Sequence, residues 1–306
     1  MNKRLRWFDD SAPMLRLVAF RLGLDGSLSA DEDCNACPLC LRVFTRQAAI
    51  DGELTEEHVP PKSLDGRGLL LTCCDCNNSA GSKIDAQAAR QREVVDFARG
   101  MASAMVSVTI HADGVPLRGE ARWSDRGLEI FGVPQRNNPM EQAEHLRTLD
   151  AFVERGTPNP SVVITTDMHF EEVHVRLSWV RSAYLVAFAA LGWSYVLRDV
   201  MQPIRDQLMR SDERILPTNM LRDPDAPPNK RRMLLVEQPD ELRSLAVTLG
   251  EWTVFLPGIS RPLTYQQLSE GVAQTRNGHS RVKFRLHGKG VPWPSRPVYA
   301  LDRLTV

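Results

Sequence analysis

The sequence predicts an α+β protein of two domains, and three observations carry that prediction. The chain has 306 residues, more than one small domain needs. All six cysteines fall between Cys34 and Cys76, so one short stretch near the start differs chemically from everything after it. Near Gly100 the apolar period changes from helical to alternating, which sets a boundary: residues 1–100 read as an N-terminal domain and residues 101–306 as a C-terminal mixed α+β domain.

The elements follow in order. Residues 11–23 read as a helix, with Ser11 as N-cap, Pro13 in the first turn and Gly23 as the stop. Residues 25–33 are acidic and small and read as a loop. Residues 55–59 suit a short strand. After Cys76 a helix should run to Arg99, with Ile84, Ala88, Val95 and Ala98 on one face. Residues 105–133 alternate with breaks at 112–115 and 124–127, a three-stranded meander. Asn138 and Pro139 open a helix that ends before Gly156. Residues 162–166 and 172–176 read as strands. Residues 179–191 are the most apolar segment, too short to cross a bilayer and best placed as a buried helix. Gly192 breaks it, and helix resumes towards Arg210. A proline-rich loop over 221–230 precedes strands at 233–237, 244–249, 252–256 and 282–286, and the tail over 291–297 is extended.

Composition narrows the function. Lys and Arg together number 38, Asp and Glu 38, for a net charge of zero, which argues against coating nucleic acid by bulk electrostatics but leaves room for a local basic groove. The basic start, Met1 to Trp7, runs into Asp9 and Asp10 where a signal peptide would be hydrophobic. No run is long enough to span a bilayer. The expectation is a cytoplasmic protein with reduced thiols and no membrane.

The chemistry is concentrated in three short strings: Cys37-Pro38-Leu39-Cys40, then Glu56-Glu57-His58-Val59-Pro60, then Cys73-Cys74-Asp75-Cys76-Asn77. A CxxC pair makes a tight knuckle with two thiolates aimed at one centre, and two knuckles supply the four sulfur ligands of a structural zinc. The four ligands read here are Cys37, Cys40, Cys73 and Cys76; Cys34 offers a shifted register with Cys37, and disulfides are the weaker alternative. Closing such a site ties residues 41–72 into a loop and should bring Glu57, His58 and Asn77 together. A carboxylate, an imidazole and a carboxamide oxygen around one spot suit a hard divalent cation such as Mg2+. Lys62, Arg67 and Lys83 lie close enough in sequence to contact phosphate.

The order CxxC, acid-His-x-x-Pro, CxxC-Asn resembles the HNH endonucleases, the ββα-metal or His-Me-finger nucleases, in their four-cysteine zinc form. The run Cys76 to Asp85 resembles one HNH subfamily. As a motif the resemblance covers about a sixth of the chain, and as a domain about a third. It implies His58 as general base, Glu57 and Asn77 as ligands of a catalytic Mg2+ or Mn2+, and a structural Zn2+. It departs from the family in having Glu where Asp is usual, and in lacking an evident bracing asparagine over residues 65–69. The implied activity is hydrolysis of phosphodiester bonds in DNA, by nicking or double-strand cleavage, with a homodimer where both strands are cut. HNH units joined to an extra domain also resemble effector nucleases of anti-phage defence systems, which adds defence-system proteins as partners. Two alternatives stand beside this: a catalytically inactive nucleic-acid-binding module of HNH fold, and a nuclease held silent by a C-terminal sensor domain.

Overall fold

Two CxxC knuckles so far apart in sequence need a scaffold that meets itself, and the fold supplies one by returning late segments to the early hairpins. The computed structural model describes residues 3–23, 26, 32–102, 104–156, 162–217, 219–276 and 285–304. In chain order it holds α1 (Lys3–Arg21), β1 (Cys34–Ala36), β2 (Val43–Thr45), α2 (Arg46–Asp51), β3 (Leu54–Val59), β4 (Arg67–Cys73), α3 (Cys74–Ala80) and α4 (Ala86–Ala98). Next come β5 (Met105–Ala112), β6 (Val115–Ser124), β7 (Gly127–Gly132), α5 (Pro139–Glu154) and β8 (Val162–Thr165). The chain then forms α6 (Glu172–Leu191), α7 (Trp193–Val196), α8 (Gln202–Met209), β9 (Met220–Arg222), β10 (Arg231–Gln238), β11 (Ser244–Leu249), β12 (Trp252–Pro257), α9 (Tyr265–Arg276), β13 (His287–Val291) and α10 (Ala300–Arg303). The mixed α+β class holds.

The domain boundary does not. The chain divides into one compact unit of residues 1–86 with 172–306 and a second of residues 87–171. The expected division at Gly100 is therefore corrected. The physical reason is α6, which packs against β3, β4, β11 and β12 and so joins the cysteine-bearing hairpins to the late sheet in one unit. The change of period marks where strands begin, not where a core ends.

In the first unit an antiparallel sheet runs in the order β13-β10-β11-β12-β9. Leu234, Val236, Ala246 and Phe255 bury one face of it with Leu268 and Val272 of α9. Strand alternation sends Leu245, Val247, Val254 and Leu256 to the other face, where they are equally buried, and α6 lies against β11 and β12. α6 is buried from Leu177 through Leu191, as its apolar composition requires. It begins at Glu172, so residues 172–176 are helix and not the expected strand; Val175 and Leu177 are already core. α1 likewise starts eight residues before Ser11 because Trp7 and Phe8 are buried. Ser11 is no N-cap: it sits mid-helix and donates to Asn35 Oδ1 at 2.9 Å. α9, α10 and β9 were not expected, and most of the strand expected at 282–286 lies outside the described residues.

The second unit contains the predicted meander, β7-β6-β5, with β8 antiparallel on β5. Asp113 and Gly114 both take positive φ in the two-residue turn between β5 and β6, which a type I′ hairpin demands. Val106, Val108 and Ala121 form its core with Phe97, Ile110 and Ile130 packed around them. Asn138 caps α5 by accepting from Met140 N, with Pro139 in the first turn. His145 is buried with its Nδ1 2.9 Å from the Val115 carbonyl, a structural histidine. No described helix of the chain is long and apolar enough to cross a membrane.

Candidate metal centre and the β3–β4 hairpin

The first knuckle is the tip of the β1–β2 hairpin, whose register pairs Cys34 with Thr45 and Ala36 with Val43. Cys37 N donates to Arg42 O at 3.0 Å and Leu41 N to Cys37 O at 2.9 Å, which closes the turn with Leu41 at φ 60°. The second knuckle is the junction of β4 and α3. Cys73 stands at the N-cap position in extended conformation and Cys76 lies in the first turn of α3.

The thiols of Cys37, Cys40, Cys73 and Cys76 converge, with all four sulfurs within 4.8 Å of one another. Cys40 Sγ and Cys73 Sγ are 3.7 Å apart. Zinc–sulfur bonds of about 2.3 Å set tetrahedral edges of roughly 3.8 Å, so the donor set fits a tetrahedral metal such as zinc. Cys34 is buried but stands outside the cluster, which closes the shifted register. Hydrogen bonding from Cys37 foremost, with Arg42 contributing, draws the Cys73 thiol down to about 6, and hydrogen bonds from Cys37 and Cys76 pull Cys40 lower still. Arg42 Nη2 lies 3.3 Å from Cys73 Sγ and 2.6 Å from Asp75, a cation placed to offset the negative charge of a metal–thiolate cluster. Beside the cluster a cleft of about 410 Å³ is lined by Cys40, Cys76, Arg42, Lys83, Met209 and Asp212. Its bordering cations are paired, Arg42 with Asp75 and Lys83 with Asp212 at 2.8 Å.

The hairpin β3–β4 is antiparallel, with Thr55 opposite Thr72, Glu57 opposite Leu70 and His58 opposite Gly68. The register slips between Glu57 and His58, so Leu69 is an extra residue on β4. This register separates the expected trio. Glu57 accepts from Thr72 Oγ1 at 2.9 Å, and Asn77 Nδ2 donates to Thr55 Oγ1 at 3.0 Å. Thr55 and Thr72 are direct cross-strand partners, so Glu57 and Asn77 belong to one face of the hairpin. His58 shares its face with the position of Gly68. The Oε1 of Glu56 lies 1.4 Å from where a Cβ on Gly68 would stand, so Glu56 is on the His58 side. The two faces differ in exposure: Glu57 is 2% exposed, whereas Glu56 and His58 are half-buried.

What holds Glu57 comes from far along the chain. Arg181 of α6 binds it with both terminal nitrogens, Nη1 at 3.1 Å and Nη2 at 2.5 Å. Arg181 Nη1 is also 3.3 Å from Asp85, whose other oxygen accepts from Ser178 at 2.6 Å. Burial pushes the Asp85 carboxyl up to about 6 against the opposing pull of Arg181 and Ser178. Asp85 reaches this interior because residues 81–85 wind as a π-turn between α3 and α4, which turns both Ile84 and Asp85 inward. One turn further along α6, Tyr184 donates to the Pro38 carbonyl at 2.7 Å and pins the first knuckle. Ser178, Arg181 and Tyr184 recur every three residues, so one stripe of α6 grips the hairpin, the π-turn and the knuckle. Sequence reading passed over all three. The signal was available: a charged residue inside the most apolar segment must be paired.

Of the two residues expected to hold Mg2+ or Mn2+, Glu57 is turned to Arg181 and Thr72. Both oxygens of Glu57 are engaged and shielded, whereas Asn77 donates only through Nδ2, to Thr55 Oγ1 at 3.0 Å and to the Glu56 carbonyl at 3.4 Å. Lys62 and Arg67 are exposed at the loop end of the hairpin, Arg67 opposite Val59. Comparison of the chain with family models, curated proteins and solved structures finds no match.

Proposed function

We propose that this chain is an endonuclease of HNH type that hydrolyses phosphodiester bonds in DNA, with a structural zinc held by Cys37, Cys40, Cys73 and Cys76. The observation that carries the reading is His58, half-buried on a strand end of a hairpin fastened to the four-thiol centre, with a carboxylate on the same face and exposed Lys62 and Arg67 at the hairpin's end. Neutral His58 takes a proton from a water, and the hydroxide attacks phosphorus in line. The bond from phosphorus to the departing sugar oxygen breaks, and that oxygen gains a proton from solvent. Lys62 and Arg67 position the backbone through its phosphates. An HNH nuclease uses a divalent cation to offset the developing charge.

Purified full-length protein incubated with supercoiled plasmid and Mg2+ should produce nicked circles, and EDTA should stop it. His58→Ala should lower the rate by about 10²–10⁴-fold, the range for a lost general base. Equal rates for the two proteins end the reading. A second reading, a nucleic-acid-binding module of the same fold, is favoured by one observation, the sealing of Glu57 by Arg181. It predicts salt-sensitive duplex binding with no cleavage in any divalent metal. Silencing by a separate C-terminal domain has to be tested in the full chain, because cutting at residue 100 would remove α6 from the unit that carries the cysteines. A role as a defence effector belongs with the same proposal and is tested by phage plating on cells with and without His58→Ala.

A further inference from the structure

We infer that Cys40 is a peroxide-reactive site: its thiolate takes an oxygen from a hydroperoxide that enters by the cleft beside the knuckles, and Cys73 then closes a disulfide onto it that opens the four-thiol centre. The inference goes beyond the nuclease reading and rests only on the thiol centre holding zinc.

The four thiols are not equally reachable. Cys37, Cys73 and Cys76 are 0%, 1% and 8% exposed, whereas Cys40 is half-buried. Cys40 and Cys76 both border the cleft, but Met209 Sδ stands 3.9 Å from Cys76 Sγ and covers it from that side. Leu39, Ala80 and Ile84 give the cleft an apolar wall, so a small neutral peroxide can enter without breaking the Arg42–Asp75 or Lys83–Asp212 pairs at its border. A metal-bound thiol is already deprotonated, and oxidation of cysteine follows thiolate character and exposure together. Among the four, Cys40 alone has both. The second thiol is in place on the other knuckle: Cys73 Sγ lies 3.7 Å from Cys40 Sγ, and a disulfide needs the sulfurs at about 2.05 Å. In the first step the Cys40 thiolate attacks one peroxide oxygen. The S–O bond forms, the O–O bond breaks, hydroxide leaves, and the sulfur is oxidised to sulfenic acid as the peroxide is reduced. In the second step the Cys73 thiolate attacks the Cys40 sulfur, the S–S bond forms, the S–O bond breaks, and a second hydroxide leaves and takes a proton from solvent. Two thiolates and one peroxide thus give one disulfide and two hydroxides. Cys37 and Cys76 are left alone as donors, too few for a tetrahedral structural site. The new bond joins the two knuckles directly, so reduction returns both thiols to where the metal needs them.

The test uses the full-length, zinc-loaded protein with hydrogen peroxide as probe. A chromogenic chelator reads released zinc, and peptide mass mapping without reduction reads the modified residues. Wild type should release its zinc and yield a peptide pair cross-linked through Cys40 and Cys73, and dithiothreitol with added zinc should restore both the metal content and the free thiols. Cys74→Ser, which removes the other half-buried thiol beside the second knuckle, should release zinc as fast as wild type. Ser79→Phe, which narrows the cleft from an exposed position on α3, should slow release several-fold with zinc content unchanged. Iodoacetamide below one equivalent should label Cys40 ahead of Cys37, Cys73 and Cys76 in wild type, an order that is read without any variant having to fold. Earlier labelling of one of those three, release that depends on Cys74, oxygen added to Met209 while zinc stays bound, or wild type that carries no zinc overturns the inference. A disulfide within either knuckle in place of the bond between them removes the role of Cys73, and release from Ser79→Phe at the wild-type rate removes entry by the cleft.

Discussion

The two faces of the β3–β4 hairpin are one residue apart in sequence and opposite in physics. One carries Thr55, Glu57 and Thr72, is closed by Arg181 and braced by Asn77, and lies in the interior. The other carries Glu56 and His58 over a glycine and keeps contact with solvent. An acid-acid-histidine string is thus divided by strand parity: the buried acid fixes the strand to α6, and the other acid and the imidazole keep contact with solvent. Neighbouring carboxylates of the same type are not interchangeable when a pleat points them in opposite directions.

The largest way to break the contrast is to disrupt the four-thiol centre to which the hairpin is fastened. Cys73→Ser, or prolonged chelation, should unfold the β1–β2 and β3–β4 hairpins together, since structural zinc contributes folding free energy of order 10 kcal/mol. Amide hydrogen exchange should show protection lost over residues 34–80 and retained in β5–β7 of the second unit. Protection surviving over 34–80 in zinc-free protein would remove the thiol centre from its place as organiser. Next in size, Arg181→Met should destabilise the first unit by about 3–5 kcal/mol, because it strands Glu57 and Asp85 as buried charges. Adding Glu57→Gln and Asp85→Asn to Arg181→Met should recover much of that loss in urea melts. An additive, still larger loss would mean the triad is not a unit.

How much of this was legible beforehand follows from range. The knuckles, the α3–α4 helix, the meander and the Asn138 cap are local patterns, and each appears where spacing placed it. The domain division, the helical start of α6 and the fate of Glu57 were not legible, because each depends on a contact more than a hundred residues away or on an accumulated core. Arg181 meets Glu57 across 124 residues. The single residue that splits the trio, Leu69 as a bulge, leaves no mark in composition: a run of three leucines reads the same with or without it. A buried arginine amid Val180, Ala183 and Leu185 was the one local hint that some acid upstream had to be buried with it.

A smaller effect sharpens the exposed face. Gly68→Ala meets the flexible end of Glu56, which can swing away, so stability should fall by less than about 1 kcal/mol in urea melts. Gly66→Ala, two residues earlier, meets the Pro60 carbonyl at 1.4 Å, and backbone does not yield; it should cost about 1–3 kcal/mol or more. A Gly68→Ala protein as unstable as Gly66→Ala would show that Glu56 is locked in packing and not poised at a surface.

The smallest effects test whether nucleic acid approaches that face at all. Lys62 and Arg67 are exposed at the hairpin's end, whereas Lys83 is tied to Asp212 at 2.8 Å on the cleft beside the thiols. Each lysine or arginine that meets a phosphate contributes about 0.9 to the slope of log affinity against log salt. Binding of a labelled duplex, measured by anisotropy between 50 and 200 mM salt (~50 and ~200, the span over which such slopes resolve), isolates that term when His58→Ala prevents cutting. Lys62→Ala and Arg67→Ala in that background should each lower the slope by about 1, and Lys83→Ala should leave it unchanged. Equal slopes for all three would mean that a duplex lies elsewhere. A drop for Lys83 alone would move the contact to the cleft by the thiols, and the open face with His58 would lose its claim to the substrate.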